Sequence, residues 1–284
     1  MTIKIFSDLK TTAYESPGHP EAPWRVGKTH ERLKAAGLTP QLPEIKASAN
    51  NVLLAHTDKH WRNVQTGNFE DVDTPDFPGM DQIALISLSG CLSALNSALN
   101  GTPAFSLMRP PGHHAAQERV AGFCYVNNMA VACRKALGDG LRVATLDIDV
   151  HHGDGTEAIA MGEKNWLFVS LHQSPLYPGT GLSSRSNCVN FPLPPYTNEL
   201  AYLEALEAAI KRIGDFKPDL LGVSAGFDTY KECPIAQFKL EKETYAKIGR
   251  LIAETKWPRF ATLEGGYAPD LPVLIENFIK GFDG

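Results

Sequence analysis

Short runs rich in Val, Ile, Leu and Phe alternate with stretches of helical periodicity along the whole chain, and this alternation constrains the fold more than any other feature. The spacing predicts strands over residues 3–6, 104–108, 142–150, 166–172, 220–225 and 259–263. Between and after them it predicts helices over residues 25–36, 80–99, 127–137, 198–213, 242–254 and 271–279. In the last of these, Leu271, Leu274, Ile275, Phe278 and Ile279 fall on one face, as in a helix packed along one side. Strands joined through helices pair in parallel, and nearly continuous apolar strands need cover on both faces. The expected class is therefore α/β, with a mostly parallel central sheet between two layers of helices. No internal repeat, low-complexity stretch or linker divides residues 1–284, so one domain is expected.

In such a sheet, ligands bind beyond the C-terminal ends of the strands. The unusual polar residues of this chain sit at those ends. MRPPGHHA follows the strand at 104–108, and DIDVHHGDG closes the strand at 142–150. SLHQSP, AGFD and LEGGY stand at the ends of the next three predicted strands. Five strand ends thus converge on one rim.

Within Asp147-Ile148-Asp149-Val150-His151, alternation along a strand points Asp147, Asp149 and His151 the same way. Three ionisable groups on one buried face are costly unless compensated, and a divalent cation compensates them directly. The competing reading is a carboxylate–histidine network that only stabilises the strand end. Adding Asp228 brings the candidate ligands to three, Asp149, His151 and Asp228. Three protein ligands leave a coordination position open for water, the mark of a catalytic zinc, with Fe(II) or Co(II) as other metals for such a site. His113 and His114 form a tandem behind a stiff Pro-Pro-Gly turn, and Asp147 and Asp154 are the rim carboxylates able to orient their rings. Gly153 and Gly155 flank Asp154 and are expected to permit the tight turn into the next helix. Tyr267, after Gly265-Gly266, is placed to donate a hydrogen bond to a developing oxyanion, although a tyrosine in that setting is more often a packing residue.

The charge balance narrows the partners. A net charge of -5 leaves no basic footprint for nucleic acid. The N-terminus has no apolar segment of signal-peptide type, and the apolar stretches are interrupted well short of the roughly 18 residues of a membrane span. Five dispersed cysteines without a CxxC pair argue against a disulfide framework or a cysteine-held zinc, and for a cytoplasmic location. Cys124, inside GFCYVNN, is read as a buried apolar thiol.

RPPGHHA, GFCYVNNMAVA, LDIDVHHGDGT, SLHQSPLYPGTG, AGFD and LEGGY occur in the order typical of the histone deacetylase family, and the chain resembles that family over nearly its whole length. The resemblance implies the three-layer arginase/deacetylase fold and one zinc ion held by Asp149, His151 and Asp228. It pairs His113 with Asp147 and His114 with Asp154 for acid–base work, His114 being favoured for the principal role, and it gives Tyr267 to the scissile carbonyl. Gly122, Phe123 and Tyr177 match the wall of an acyl channel, and Asp73 matches a rim aspartate that holds substrate amides. The family also binds a structural monovalent cation, usually potassium, which here would take Asp147, Asp149, His151, Ser170 and Leu171. The implied activity is hydrolysis of an acylated amine.

The C-terminal third is most similar to the acetylpolyamine amidohydrolase branch. Those enzymes carry a long insertion before RPPGHHA for which residues 56–105 leave no room, and Ile235 stands where polyamine-selective relatives place an acidic gatekeeper. Acyl-lysine in a peptide or protein is therefore the leading expected substrate, with small acetylated amines second. A catalytically silent metal-binding module on the same fold, and a two-metal ureohydrolase of the arginase type, are the other readings.

Overall fold

The computed structural model describes residues 2–284. Seven strands form one sheet: β1 (Lys4–Phe6), β2 (Ala104–Ser106), β3 (Val143–Asp147), β4 (Trp166–Gln173), β5 (Cys188–Leu193), β6 (Leu220–Ala225) and β7 (Arg259–Leu263). Their order is β1-β2-β7-β6-β3-β4-β5, and every pairing is parallel. The helices among the described residues are α1 (Trp24–Ala35), α2 (Ala49–Val52), α3 (Asp58–Thr66), α4 (Met80–Leu99), α5 (Asn128–Gly138), α6 (Asp154–Ala160), α7 (Glu199–Phe216), α8 (Thr244–Glu254) and α9 (Leu271–Asp283).

Side-chain alternation along the strands separates two cores. Ala144, Leu146, Leu167, Val169, Leu221, Val223 and Ala261 point to one face, where Tyr202 and Leu206 of α7, Ile248 of α8 and Phe278 of α9 meet them. Val143, Trp166, Phe168, Leu220 and Phe260 point to the other, against Leu88 and Leu92 of α4 and Val131 of α5. The layers are therefore helix, sheet, helix. Helix α4 is long and apolar enough to cross a membrane by length and composition, which the interrupted apolar pattern did not predict, and 72% of its apolar window is buried inside the fold.

Three sequence expectations shift. The strand expected over 142–150 stops at Asp147, because carboxylates replace the ladder beyond it. Asp147 Oδ1 accepts from the Asp149 N–H at 3.1 Å, Asp228 Oδ1 from that of Val150 at 2.9 Å, and Asp149 Oδ1 from that of His151 at 2.9 Å. Strand β5 was not expected: it carries Pro192, which an edge strand tolerates because one side needs no donor. Gly153 has an ordinary negative φ of -74, so its role is space rather than turn freedom: a Cβ there would lie 2.1 Å from Asp147 Oδ2, and at Gly155 one would lie 2.5 Å from the Ala115 carbonyl.

From β3 the chain proceeds outward to β4, and from β6 it proceeds the opposite way to β7. The crevice beyond the C-terminal ends of β3 and β6 is thus a topological switch point, where an open parallel sheet presents its ligand site.

Candidate active site

Asp149 and His151 follow β3, Asp228 follows β6, and their ligand atoms lie within 4.8 Å of one another, all three residues being buried. His151 Nδ1 is 3.0 Å from Asp149 Oδ1 and 3.1 Å from Asp228 Oδ2. Ligands bonded at about 2.0–2.1 Å in a tetrahedron stand about 3.3 Å apart, so this spacing suits a small divalent cation. Asp228 Oδ2 is buried and accepts no hydrogen bond, since the Nδ1 hydrogen is directed to Asp149. With two carboxylates so close, the group draws in positive charge. Burial and the Asp149 charge push Asp228 up to about 6. Burial opposes a charge on His151, but Asp149 and Asp228 overcome it and raise the ring to about 9. The donor set fits a metal ion, and two glycines make room for it. A Cβ on Gly226 would lie 2.2 Å from Asp149 Oδ2, and one on Gly265 would lie 2.2 Å from Asp228 Oδ2.

The loop from β2 to α5 carries the tandem histidines. His113 Nδ1 meets Asp147 Oδ2 at 3.0 Å, and His114 Nδ1 meets Asp154 Oδ1 at 2.8 Å. Each ring therefore donates from Nδ1 and keeps Nε2 for the cavity. The pairs differ electrostatically. Burial works against a charge on His113, yet Asp147 and Asp149 hold it protonated, well above its ordinary range. Burial and then the His113 charge hold His114 down at about 3, so its Nε2 is an acceptor. Asp147 is thus a partner of His113, and the residues grouped for a metal are Asp149, His151 and Asp228 without it.

His113, His114 and His151 line one cavity of ≈ 320 Å³, together with Asp73, Gly122, Phe123, Tyr177, Ile235, Gly265 and Tyr267. Every residue expected to wall the channel or its rim is there. Gly122 has a φ of 54, and a Cβ on it would lie 2.5 Å from the His114 ring, so only glycine fits. Phe123 also has a positive φ of 70, and its N–H is held by Thr74 Oγ1 at 2.8 Å, which joins the wall to the segment bearing Asp73. Tyr177 stands 5.1 Å from the His114 ring and 42% exposed, at the mouth. Tyr267 packs edge-on to Phe123 at 5.7 Å, with the Arg25 guanidinium 4.8 Å from its ring centroid. Burial raises the Tyr267 phenol, which keeps it a hydrogen-bond donor.

Sequence reasoning missed several supports. His19 lines the cavity, meets Phe123 edge-on at 4.5 Å and bonds the Asp73 carbonyl at 3.0 Å. Glu264 accepts from the Gly112 and His113 amides at 2.7 and 3.1 Å, fixing the tandem from behind, and burial pushes its carboxyl up to about 7. Arg25 donates to the Gly266 and Glu264 carbonyls around Tyr267, and Glu21 joins Arg25 to Arg109. Glu264 stands within LEGGY, His19 and Arg25 lie in the stretch 16–25 that carries none of the motifs above, and a lone residue in either setting carries no signal of its partners. Cys124 is buried with its thiol raised by burial, as expected of a packing cysteine.

Residues 19–280 match the model of the histone deacetylase domain. The chain is 37% identical to a probable deacetylase of Archaeoglobus fulgidus, over 98% of this chain and 86% of that protein. It is also 37% identical to acetylpolyamine amidohydrolase 2 of Pseudomonas aeruginosa, over 75% of this chain and 66% of that protein. The crystal structure of an acetylpolyamine aminohydrolase from Burkholderia pseudomallei superposes with a TM-score of 0.92 at 26% identity, covering 99% of this chain and 98% of the other. A match of this length, on a fold whose switch point gathers a metal-ligand group and two histidine–carboxylate pairs, makes the chain a member of the histone deacetylase family, an amidohydrolase of the deacetylase type.

Proposed function

We propose that the chain is a zinc-dependent hydrolase that removes an acetyl or longer acyl group from an acylated amine, with acyl-lysine in a peptide or protein as its leading substrate. The observation that carries the reading is the convergence of three kinds of group: the tandem histidines and Tyr267 line one cavity with His151, and His151 is grouped with Asp149 and Asp228 as candidate ligands. A zinc ion held there would polarise the amide carbonyl and lower the pKa of the attacking water. His114, oriented by Asp154, takes the proton as water attacks. Tyr267 donates to the oxyanion that develops on the substrate. The histidine pair, coupled through rings 4.0 Å apart, then returns a proton to the leaving amine. The full complement of roles favours a catalyst over a silent metal-binding module, and one three-ligand group among the described residues favours it over a two-metal ureohydrolase.

Acyl-lysine is supported by the mouth. Ile235 offers no charge to a free amine, and only residues 67–79 separate α3 from α4, so little chain is available to narrow the entrance. Acetylpolyamines remain the second reading, on the names of several relatives and on a specific observation. The segment bearing Asp73 also carries Glu70, Asp71 and Asp76, an acidic lip that would attract a polycation. Zinc-loaded protein given acyl-lysine peptides of several acyl lengths and acetylpolyamines side by side separates the two. A higher kcat/KM for the peptides is expected, and a strong preference for polyamines overturns that choice.

We further infer a structural potassium ion held by Asp147, Asp149, His151, Ser170 and Leu171, a reading supported by the β3–β4 pairing that sets Asp147 opposite Ser170. The chain is proposed to work as one catalytic domain in a reducing cytoplasm, on acylated amines and neither on nucleic acid nor at a membrane. Five buried free cysteines and the net charge of -5 support that placement.

A further inference from the structure

We propose that Arg119 is a positioning residue for this reaction, the outer member of a chain His114–Asp154–Arg119 that holds the catalytic ring in register from the surface. The inference rests on the hydrolase reading above. Asp154 spends both carboxylate oxygens on side chains: Oδ1 accepts from His114 Nδ1 at 2.8 Å, and Oδ2 accepts from the Arg119 guanidinium. The side chains are 5%, 10% and 55% exposed in that order, so the chain runs from the cavity outward.

The other dyad is secured differently. Asp147 gives Oδ2 to His113 and Oδ1 to the backbone N–H of Asp149, and it is completely buried. Its carboxylate plane is set by the core. Among the described residues no backbone N–H donates to the Asp154 carboxylate in its place, and a carboxylate held at one oxygen can turn about its Cβ–Cγ bond. The guanidinium supplies the second point that fixes the plane. Asp154 therefore points at Nδ1 of His114 only as well as Arg119 holds it.

The backbone prepares this contact. Arg119 lies on the same loop as His114, and a tight turn returns the chain, with the Ala116 N–H donating to the Arg119 carbonyl at 3.0 Å and the Arg119 N–H to the Ala116 carbonyl at 3.4 Å. The turn brings Arg119 back onto Asp154 at the start of α6, and so clamps the loop to a helix. Gly122 rests against the His114 ring, so slack in this loop displaces the ring and the channel wall together.

An exposed arginine–aspartate pair with a purely structural role contributes little to stability and nothing to the rate. The two roles separate in metal-loaded Arg119→Ala and Arg119→Lys proteins. The expected result for Arg119→Ala is a kcat lowered about tenfold, with KM, metal content and melting temperature close to wild type. Arg119→Lys should retain more of the rate. Millimolar guanidinium should restore part of the kcat of Arg119→Ala, while sodium chloride at equal ionic strength should not. Independently of any substrate, the His114 Nδ1 proton should give a hydrogen-bonded downfield NMR signal in wild type that broadens in Arg119→Ala. An unchanged kcat with an unchanged ring signal overturns the proposal, as does a rate loss that follows a lower melting temperature and ignores guanidinium. If wild type hydrolyses no acylated amine, the hydrolase reading fails, and a ring signal insensitive to Arg119 is what would sink the tether itself.

Discussion

Asp228 divides its carboxylate between two tasks: Oδ1 accepts the Val150 N–H, and Oδ2 faces His151 without a hydrogen bond. Its substitutions should therefore separate folding from metal binding. Asp228→Ala removes a ligand and strands a buried N–H, so metal and activity should vanish together with a loss of about 1–3 kcal/mol in stability. Asp228→Asn keeps an acceptor for Val150, so elemental analysis should show weakened metal binding while apo-protein melting stays near that of wild type. Tyr267 makes the opposite prediction. Tyr267→Phe keeps the ring that packs on Phe123 and under Arg25, removes only the donor, and should retain metal while kcat falls by about 100- to 1,000-fold. Turnover equal to wild type would remove Tyr267 from the mechanism.

At the scale of elements, α8 and α9 approach so closely that only glycine fits at their crossing. A Cβ on Gly281 would lie 2.2 Å from the Ala246 carbonyl, and one on Gly249 would lie 2.4 Å from that of Phe278. Gly281→Ala should cost about 1–3 kcal/mol through overpacking, read as a lower melting temperature with kcat per folded molecule unchanged. Helix α9 was legible in the sequence because Leu271, Leu274, Ile275 and Phe278 repeat at helical spacing and bury one face. The central strands were legible for a similar reason: residues such as Leu220–Ala225 are buried throughout, so their runs are almost wholly apolar, Ser224 being the polar exception. Elements whose residues answer to partners elsewhere were not. Strand β5 reads poorly because Asn190 and Pro192 serve an edge, while the end of β3 obeys Asp228 beside its own carboxylates, Gly153 obeys Asp147 and Gly155 the Ala115 carbonyl. The ligand residues were legible because Asp149 and His151 stand two apart at a strand end. Glu264, Arg25 and Arg119 act through backbone amides, carbonyls and a turn, contacts that leave no spacing to read.

Across the whole molecule, Glu21 ties the N-terminal segment to the loop after β2 and, through Arg25, to the loop after β7. It accepts from Arg109 at 2.8 and 2.6 Å, from Arg25 at 3.0 Å and from the Tyr14 hydroxyl at 2.6 Å. Burial alone would raise its carboxyl, but the hydrogen bonds and charge of Arg109, with Arg25, hold it down at about 2. The folded value lies below the ordinary 4.5, so this group's contribution is complete above about 4.5 and is lost as pH falls from there through 2. A shift of that size corresponds to about 3 kcal/mol. Glu21→Gln should be less stable at neutral pH and should lose that part of the acid dependence in a pH series of unfolding curves. Chelation acts on the same global balance. Removing the metal leaves only the His151 ring to offset the Asp149 and Asp228 carboxylates and takes away an ion bound to the folded state alone, so the melting temperature should fall on chelation and recover with added zinc.

The switch-point geometry also sets a clock. The proposed metal ligands hang from β3 and β6, flanked on both sides by paired strands, and the Asp149 and Asp228 carboxylates are tied to the amides of Gly265 and Val150. The channel wall hangs instead from surface connections around Gly122, Phe123 and Tyr177. Exchange of the ion for an isotopically labelled one should therefore track opening of the central strands, at the rate of their slowest amide protons, while substrates enter and leave on the faster timescale of the loops. An ion taken up as the sheet closes would then be kept through many turnovers.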